Sequence, residues 1–116
     1  MKGEAGIQVS CLEWFQLQYP KLAELMFHVP NGGTRNKIEA YNMKRQGVKR
    51  GVADLLFLFP RGGYGCLCIE MKYGKNGQSE SQKRWQQLVE AAGNKYVVCR
   101  TVEEFMKEVN TYLGRK

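Results

Sequence analysis

The chain has 116 residues, with 18 Lys and Arg against 11 Asp and Glu for a formal net charge of +7. That length suits one domain with a real core and excludes two. The charge favours a polyanionic partner, most commonly nucleic acid, against the plain alternative of a solvated basic surface.

In chain order, residues from about Glu4 to Gln18 repeat apolar side chains at helical spacing (Ile7, Cys11, Trp14, Phe15) and predict a helix. Pro20 restricts Tyr19, ends that helix and opens a short second one through Met26. His28-Val29-Pro30 reads as extended, Asn31-Gly32-Gly33 as a turn, and Arg35 to Arg45 as a modest helix closing near Gly47. Val52 to Phe59 is a continuous apolar run broken only by Asp54, which suits a strand buried on both faces. Arg61 to Gly65 is a turn, so a hairpin to a strand over Cys66 to Lys72 is expected. A polar loop over Gly74 to Gly77 leads to a helix over Ser79 to Ala92, stopped by Gly93. A short strand from Tyr96 to Arg100 and a final amphipathic helix from Val102 to Leu113 complete the chain. The result is a small α/β sheet with helices packed on it.

The cysteines Cys11, Cys66, Cys68 and Cys99 include no CxxC pair and the chain holds one histidine, which argues against structural zinc. No run reaches membrane length, and MKGEAGIQ lacks a signal-peptide pattern, so a reducing cytoplasm is the expected compartment.

Glu70 and Lys72 alternate onto one face of a strand, about 6.6 Å apart along it. Alone, this pair reads as a surface ion pair. Asp54, the only aspartate, changes that reading, because a hairpin carries it beside Glu70. A buried carboxylate needs a cation, donors or a metal. Two converging carboxylates suit Mg²⁺ (or Mn²⁺), with the Met71 backbone carbonyl as a further oxygen. Such an ion polarises a phosphoryl oxygen and activates water, while Lys72 stabilises developing charge.

The blocks EAGIQ, HVPNGGTR, RQGVKRGVADLLF, CIEMKYGKNGQSESQ and AAGNKYVV stand in order over nearly the whole chain. Together they resemble the virus-type replication-repair nuclease (VRR-NUC) family of the PD-(D/E)xK nuclease superfamily. The resemblance implies a restriction-endonuclease-like core, a small mixed central sheet flanked by helices, in a single domain over residues 1–116. It also implies Asp54 and Glu70 as metal ligands, Lys72 as the catalytic lysine, Glu4 on the first helix helping to complete the site, and Gln82 on the helix that follows Glu70-Met71-Lys72. One departure is Ala53, where the family usually has proline before the aspartate. Stand-alone members look like Holliday-junction resolvases, so the implied activity is a metal-dependent endonuclease cutting branched DNA as a homodimer. A bacterial or phage-infected bacterial cell is the implied setting. A non-catalytic nucleic-acid-binding module and a sequence-specific restriction-type nuclease are the alternatives.

Ser79-x-x-Gln82 also reads as a capping box, which competes with a site role for Gln82. Glu4 alone is an ordinary first-turn acid. The lone His28 reads as structural or as a phosphate contact rather than a catalytic base. Lys44, Arg45, Lys49 and Arg50 crowd the segment before Asp54 and suit phosphate binding, with Lys75, Asn31 and Arg35 as further DNA contacts. No helix-turn-helix or zinc-finger pattern occurs, so backbone and shape are the expected handle.

Overall fold

The computed structural model describes residues 3–30 and 36–115, without the Glu4 side chain. Helix α1 spans Gly3–Gln18 and sinks Cys11 and Phe15 completely, with Ile7, Leu12 and Trp14 packed at their margin. Pro20 starts a 3₁₀ turn, Pro20–Leu25, instead of an α-helix. Met26 turns extended and opens strand β1, Met26–His28. This strand was not expected as such; three residues are too few to show an alternating pattern, and its pairing partner lies far along the chain.

Helix α2 is Lys37–Arg45, capped by Asn36, whose side chain accepts from the Glu39 amide. Strand β2 covers only Leu55–Phe57, shorter than the apolar run over Val52 to Phe59. Asp54 lies just before it, with Leu58 and Phe59 beyond its end. The hairpin leads to β3, Leu67–Met71, and then to α3, Glu80–Ala91, β4, Lys95–Cys99, and α4, Val102–Tyr112.

The sheet order follows the chain, β1-β2-β3-β4. The first three strands pair antiparallel and β3 pairs parallel with β4, because α3 carries the chain back to the start of the sheet. One face is closed by α1 and α4, where Phe15, Leu55, Phe57, Leu67, Ile69 and Phe105 form the main core. The other face is closed by α3, where Trp85 and Val89 cover Ala53, Cys68 and Tyr96. This is the mixed sheet flanked by helices that the sequence implies. Among the described residues no helix is long and apolar enough to cross a membrane.

The topology fixes where chemistry can gather. Antiparallel β2 begins at the end of the sheet where β3 finishes, and α3 starts from that same end. Asp54, Glu70, Lys72 and the first turn of α3 therefore converge.

Candidate functional site

Strand alternation sets the geometry first. Leu67, Ile69 and Met71 enter the main core, while Cys68 lies with Tyr96 under α3 and Glu70 bonds to both Tyr96 and that helix. Glu70 is only 2% exposed, so both of its oxygens need partners. Gln82 Nε2 donates to Oε2 at 3.2 Å and Tyr96 Oη donates to Oε1 at 3.4 Å. Gln78 Nε2 donates in turn to Tyr96 Oη at 3.2 Å and to Gln86 Oε1 at 2.9 Å.

Gln82 resolves the choice between cap and site by serving both. Its Oε1 accepts the Ser79 amide at 2.8 Å and its amide donates to Ser79 Oγ, which is the capping box. Its Nε2 is thereby aimed at Glu70. One side chain thus caps the start of the helix and orients a buried carboxylate.

Asp54 is pinned from both ends. Its Oδ2 accepts the Met71 amide at 2.7 Å. Its carbonyl accepts the Val29 amide at 2.8 Å and lies 2.9 Å from His28 Nδ1, which sets the proton on Nδ1. The lone histidine therefore holds the backbone of Asp54. In a strand the N–H and C=O of one residue point the same way. The Met71 carbonyl therefore faces the Asp54 side, while the Lys72 amide bonds Cys99 on the other.

The electrostatics follow from this closeness. The Glu70 carboxyl is pushed up to about 8, first by burial, then by the hydrogen bond and negative charge of Asp54; Lys72 and Tyr96 oppose the rise. Burial, with Glu70 next, also raises the Tyr96 phenol. Lys72 thus lies within electrostatic reach of Glu70 without an ion pair between them; Lys83–Glu80 at 3.5 Å is the pair that forms among the described residues.

Beside the carboxylates opens a cleft of about 880 Å³. Lys44, Lys49, Arg50 and Arg84 bring positive charge to its wall, and Asp54, Ser79, Ser81 and Gln82 lie along it. Gly51 closes the gap between the basic loop and α3. It has φ +78°, and a Cβ there would sit 2.2 Å from the Ser81 carbonyl oxygen, so only glycine permits this approach.

Of the residues singled out in the sequence, Asp54, Glu70, Lys72 and Gln82 come together, and Lys44, Lys49 and Arg50 line the adjoining cleft. Arg45 lies against the Tyr41 ring instead of on that wall, and Lys75 is in an exposed loop tied down by Arg100 through Gly74 and Asn76. Asn31, Arg35 and the Glu4 side chain lie outside the described residues. Tyr96, Gln78 and Gly51 were missed. A tyrosine amid the apolar strand YVVC was the available signal, because a buried phenol needs a partner.

Among the described residues no group of three or more His, Cys, Asp and Glu could hold a metal. What is present is an oxygen-only set, two carboxylates and the Met71 carbonyl. That set fits a hard cation that retains several waters, such as Mg²⁺.

A family model described as the VRR-NUC domain matches residues 2–103. A solved structure described as a VRR_NUC domain protein superposes with a TM-score of 0.84 at 28% sequence identity, covering 98% of this chain and 92% of that one. No curated protein matches.

Proposed function

Because the chain belongs to the VRR-NUC domain family, and so carries a nuclease-type domain, we propose that it is a metal-dependent endonuclease hydrolysing phosphodiesters in branched DNA. The observation that supports this reading best is the convergence of Asp54, Glu70 and Lys72 at one sheet end beside a cationic cleft.

Asp54 and Glu70, with the Met71 carbonyl, would hold Mg²⁺ or Mn²⁺. When bound, such an ion supplies Lewis acidity toward a phosphoryl oxygen and makes water a competent nucleophile near neutral pH. Gln82 and Tyr96 keep Glu70 in one rotamer, and Met71 N–H keeps Asp54 in another. Lys72 places a positive charge where the phosphoryl oxygens gain negative charge. Lys44, Lys49, Arg50 and Arg84 grip backbone phosphates and set the register of the strand. No helix-turn-helix or zinc-finger pattern occurs in the sequence, which favours backbone charge and DNA shape over base-edge reading. A two-fold homodimer would present two such sites to the paired strands of a four-way junction.

The test is a panel of labelled linear, flap, fork and four-way DNA with Mg²⁺ or Mn²⁺. Branched substrates should be cut first. Glu70→Gln and Lys72→Ala should each lose about 10²–10³-fold in rate while keeping the wild-type circular dichroism spectrum. Wild-type rates in either variant would sink the assignment.

A further inference from the structure

Helix α2 poses a physical problem that its capping does not solve. None of its nine residues is buried. A helix this short is marginal in water, and most helices owe their stability to a packed face. Yet α2 displays an apolar side, with Ile38 at 74% and Tyr41 at 62% exposure. Tyr41 stands on the wall of the cationic cleft, together with Lys44. The guanidinium of Arg45, one turn on, lies 5.7 Å from the Tyr41 ring centroid and backs one of its faces.

The charge of α2 says what covers it. Lys37, Lys44 and Arg45 stand against Glu39 alone, and Glu39 already accepts from Asn36 Nδ2 at 3.1 Å. A second copy of this chain, with its net charge of +7, would meet this excess of cations as a cost, whereas a nucleic-acid strand meets it as attraction. A cationic groove with an exposed aromatic ring is the combination on which unpaired bases stack. Arginine behind the ring adds to it, since the guanidinium draws on the same π-system.

We propose that Tyr41, backed by Arg45, is the stacking platform for an unpaired base of the DNA held in the cleft. Substrate choice then falls on DNA with an unstacked nucleotide near the scissile phosphate, because bases inside a continuous duplex keep both faces covered by their neighbours. This rests on the nuclease reading for its nucleic-acid partner but assigns a residue and a substrate feature that the carboxylate cluster does not. Tyr41 is a specificity residue; it touches no reacting atom.

Binding is measured on the full chain in EDTA, with 2-aminopurine placed either unpaired at a branch point or fully paired in a linear duplex. Wild type and Tyr41→Phe should quench the unpaired probe, and Tyr41→Ala should bind it about 10- to 100-fold more weakly. Affinity for the paired probe should stay within about twofold in all three proteins, since the phosphate contacts are untouched. Equal losses on both probes, no loss on either, or a change of oligomeric state in Tyr41→Ala without DNA would each overturn the proposal. Cleavage with Mg²⁺ is read separately. Stacking without any cutting would remove the nuclease reading and leave this one, whereas cutting with no selective loss in Tyr41→Ala would do the reverse.

Discussion

Replacing Gly51 by alanine tests the join between the basic loop and the helix that orients Glu70. A Cβ there would lie 2.2 Å from the Ser81 oxygen, 2.4 Å from its carbonyl carbon and 2.9 Å from the Gln82 nitrogen. These are backbone atoms in the first turn of a helix and cannot swing aside like a side-chain tip. The left-handed conformation at φ +78° costs alanine about 1–2 kcal/mol. The overlap adds about 1–3 kcal/mol, against a total domain stability of about 5–15 kcal/mol. Gly47 is the internal control, because it also has positive φ, +103°, but a Cβ there meets nothing within 4 Å. Equilibrium urea unfolding of Gly51→Ala and Gly47→Ala, analysed with a common slope, separates the two contributions. Gly51→Ala should be the less stable by about 1–3 kcal/mol. It should also cut DNA more slowly under conditions where it remains folded, since displacing Ser81 and Gln82 disturbs the donor on Glu70. Two variants within about 0.5 kcal/mol of one another, inside ordinary additivity error, would refute the reasoning.

Three further outcomes follow from the carboxylates and their donors. With Glu70 raised from 4.5 to about 8, its contribution to the stability of the metal-free protein is complete below pH 4.5 and is lost as pH rises through 8. Glu70→Gln should flatten that part of the urea-unfolding profile. A divalent cation competes with the same proton, so Mn²⁺ affinity by calorimetry should climb between pH 6 and 8 toward about tenfold per unit, with proton release; a flat profile would contradict the coupling. Tyr96→Phe removes the donor to Glu70 Oε1 and should cost about 1 kcal/mol of stability. It should lower kcat, raise the metal concentration needed for half-maximal cutting and leave KM for DNA unchanged. A change in KM alone would assign Tyr96 to DNA binding instead.

The carboxylate pair was legible in the sequence because charge inside an apolar run is costly, and a cost of that kind marks a site. Asp54 and Glu70 could be joined because an Arg-Gly-Gly-Tyr-Gly turn between two apolar runs reads as a hairpin. Gln82 was legible only as a choice, since a capping box can be read locally and its second hydrogen bond cannot. Strand β1 and the anchoring of Asp54 by His28 were not legible, because both depend on pairing across the chain, Met26 with Phe57 and His28 with Leu55. Val52 to Phe59 was overextended because hydrophobicity alone does not say where pairing stops; the partner strand does. Nor does the sequence reveal that Arg45 spends its guanidinium on Tyr41 while Arg50 reaches the cleft.

Glu70 is the point at which stability and chemistry compete most directly. A carboxylate 2% exposed beside a second carboxylate is among the least favourable things a small core can hold. The chain does not dilute that cost by opening the site to water. It meets each oxygen with a fixed donor, Gln82 on one and Tyr96 on the other, and fixes those donors in turn through Ser79 and Gln78. Fixed donors cannot follow a carboxylate that moves, so the arrangement favours one geometry of the pair over many. Such preorganisation suits the cation-holding role proposed for Glu70. The same helix turn that carries Gln82 also walls the cationic cleft through Ser79, Ser81 and Arg84. Gly51 presses the basic loop onto that turn, three residues before Asp54. On the reading proposed above, a phosphate chain held at Lys49 and Arg50 would lie against the same contact that positions Gln82 beside Glu70.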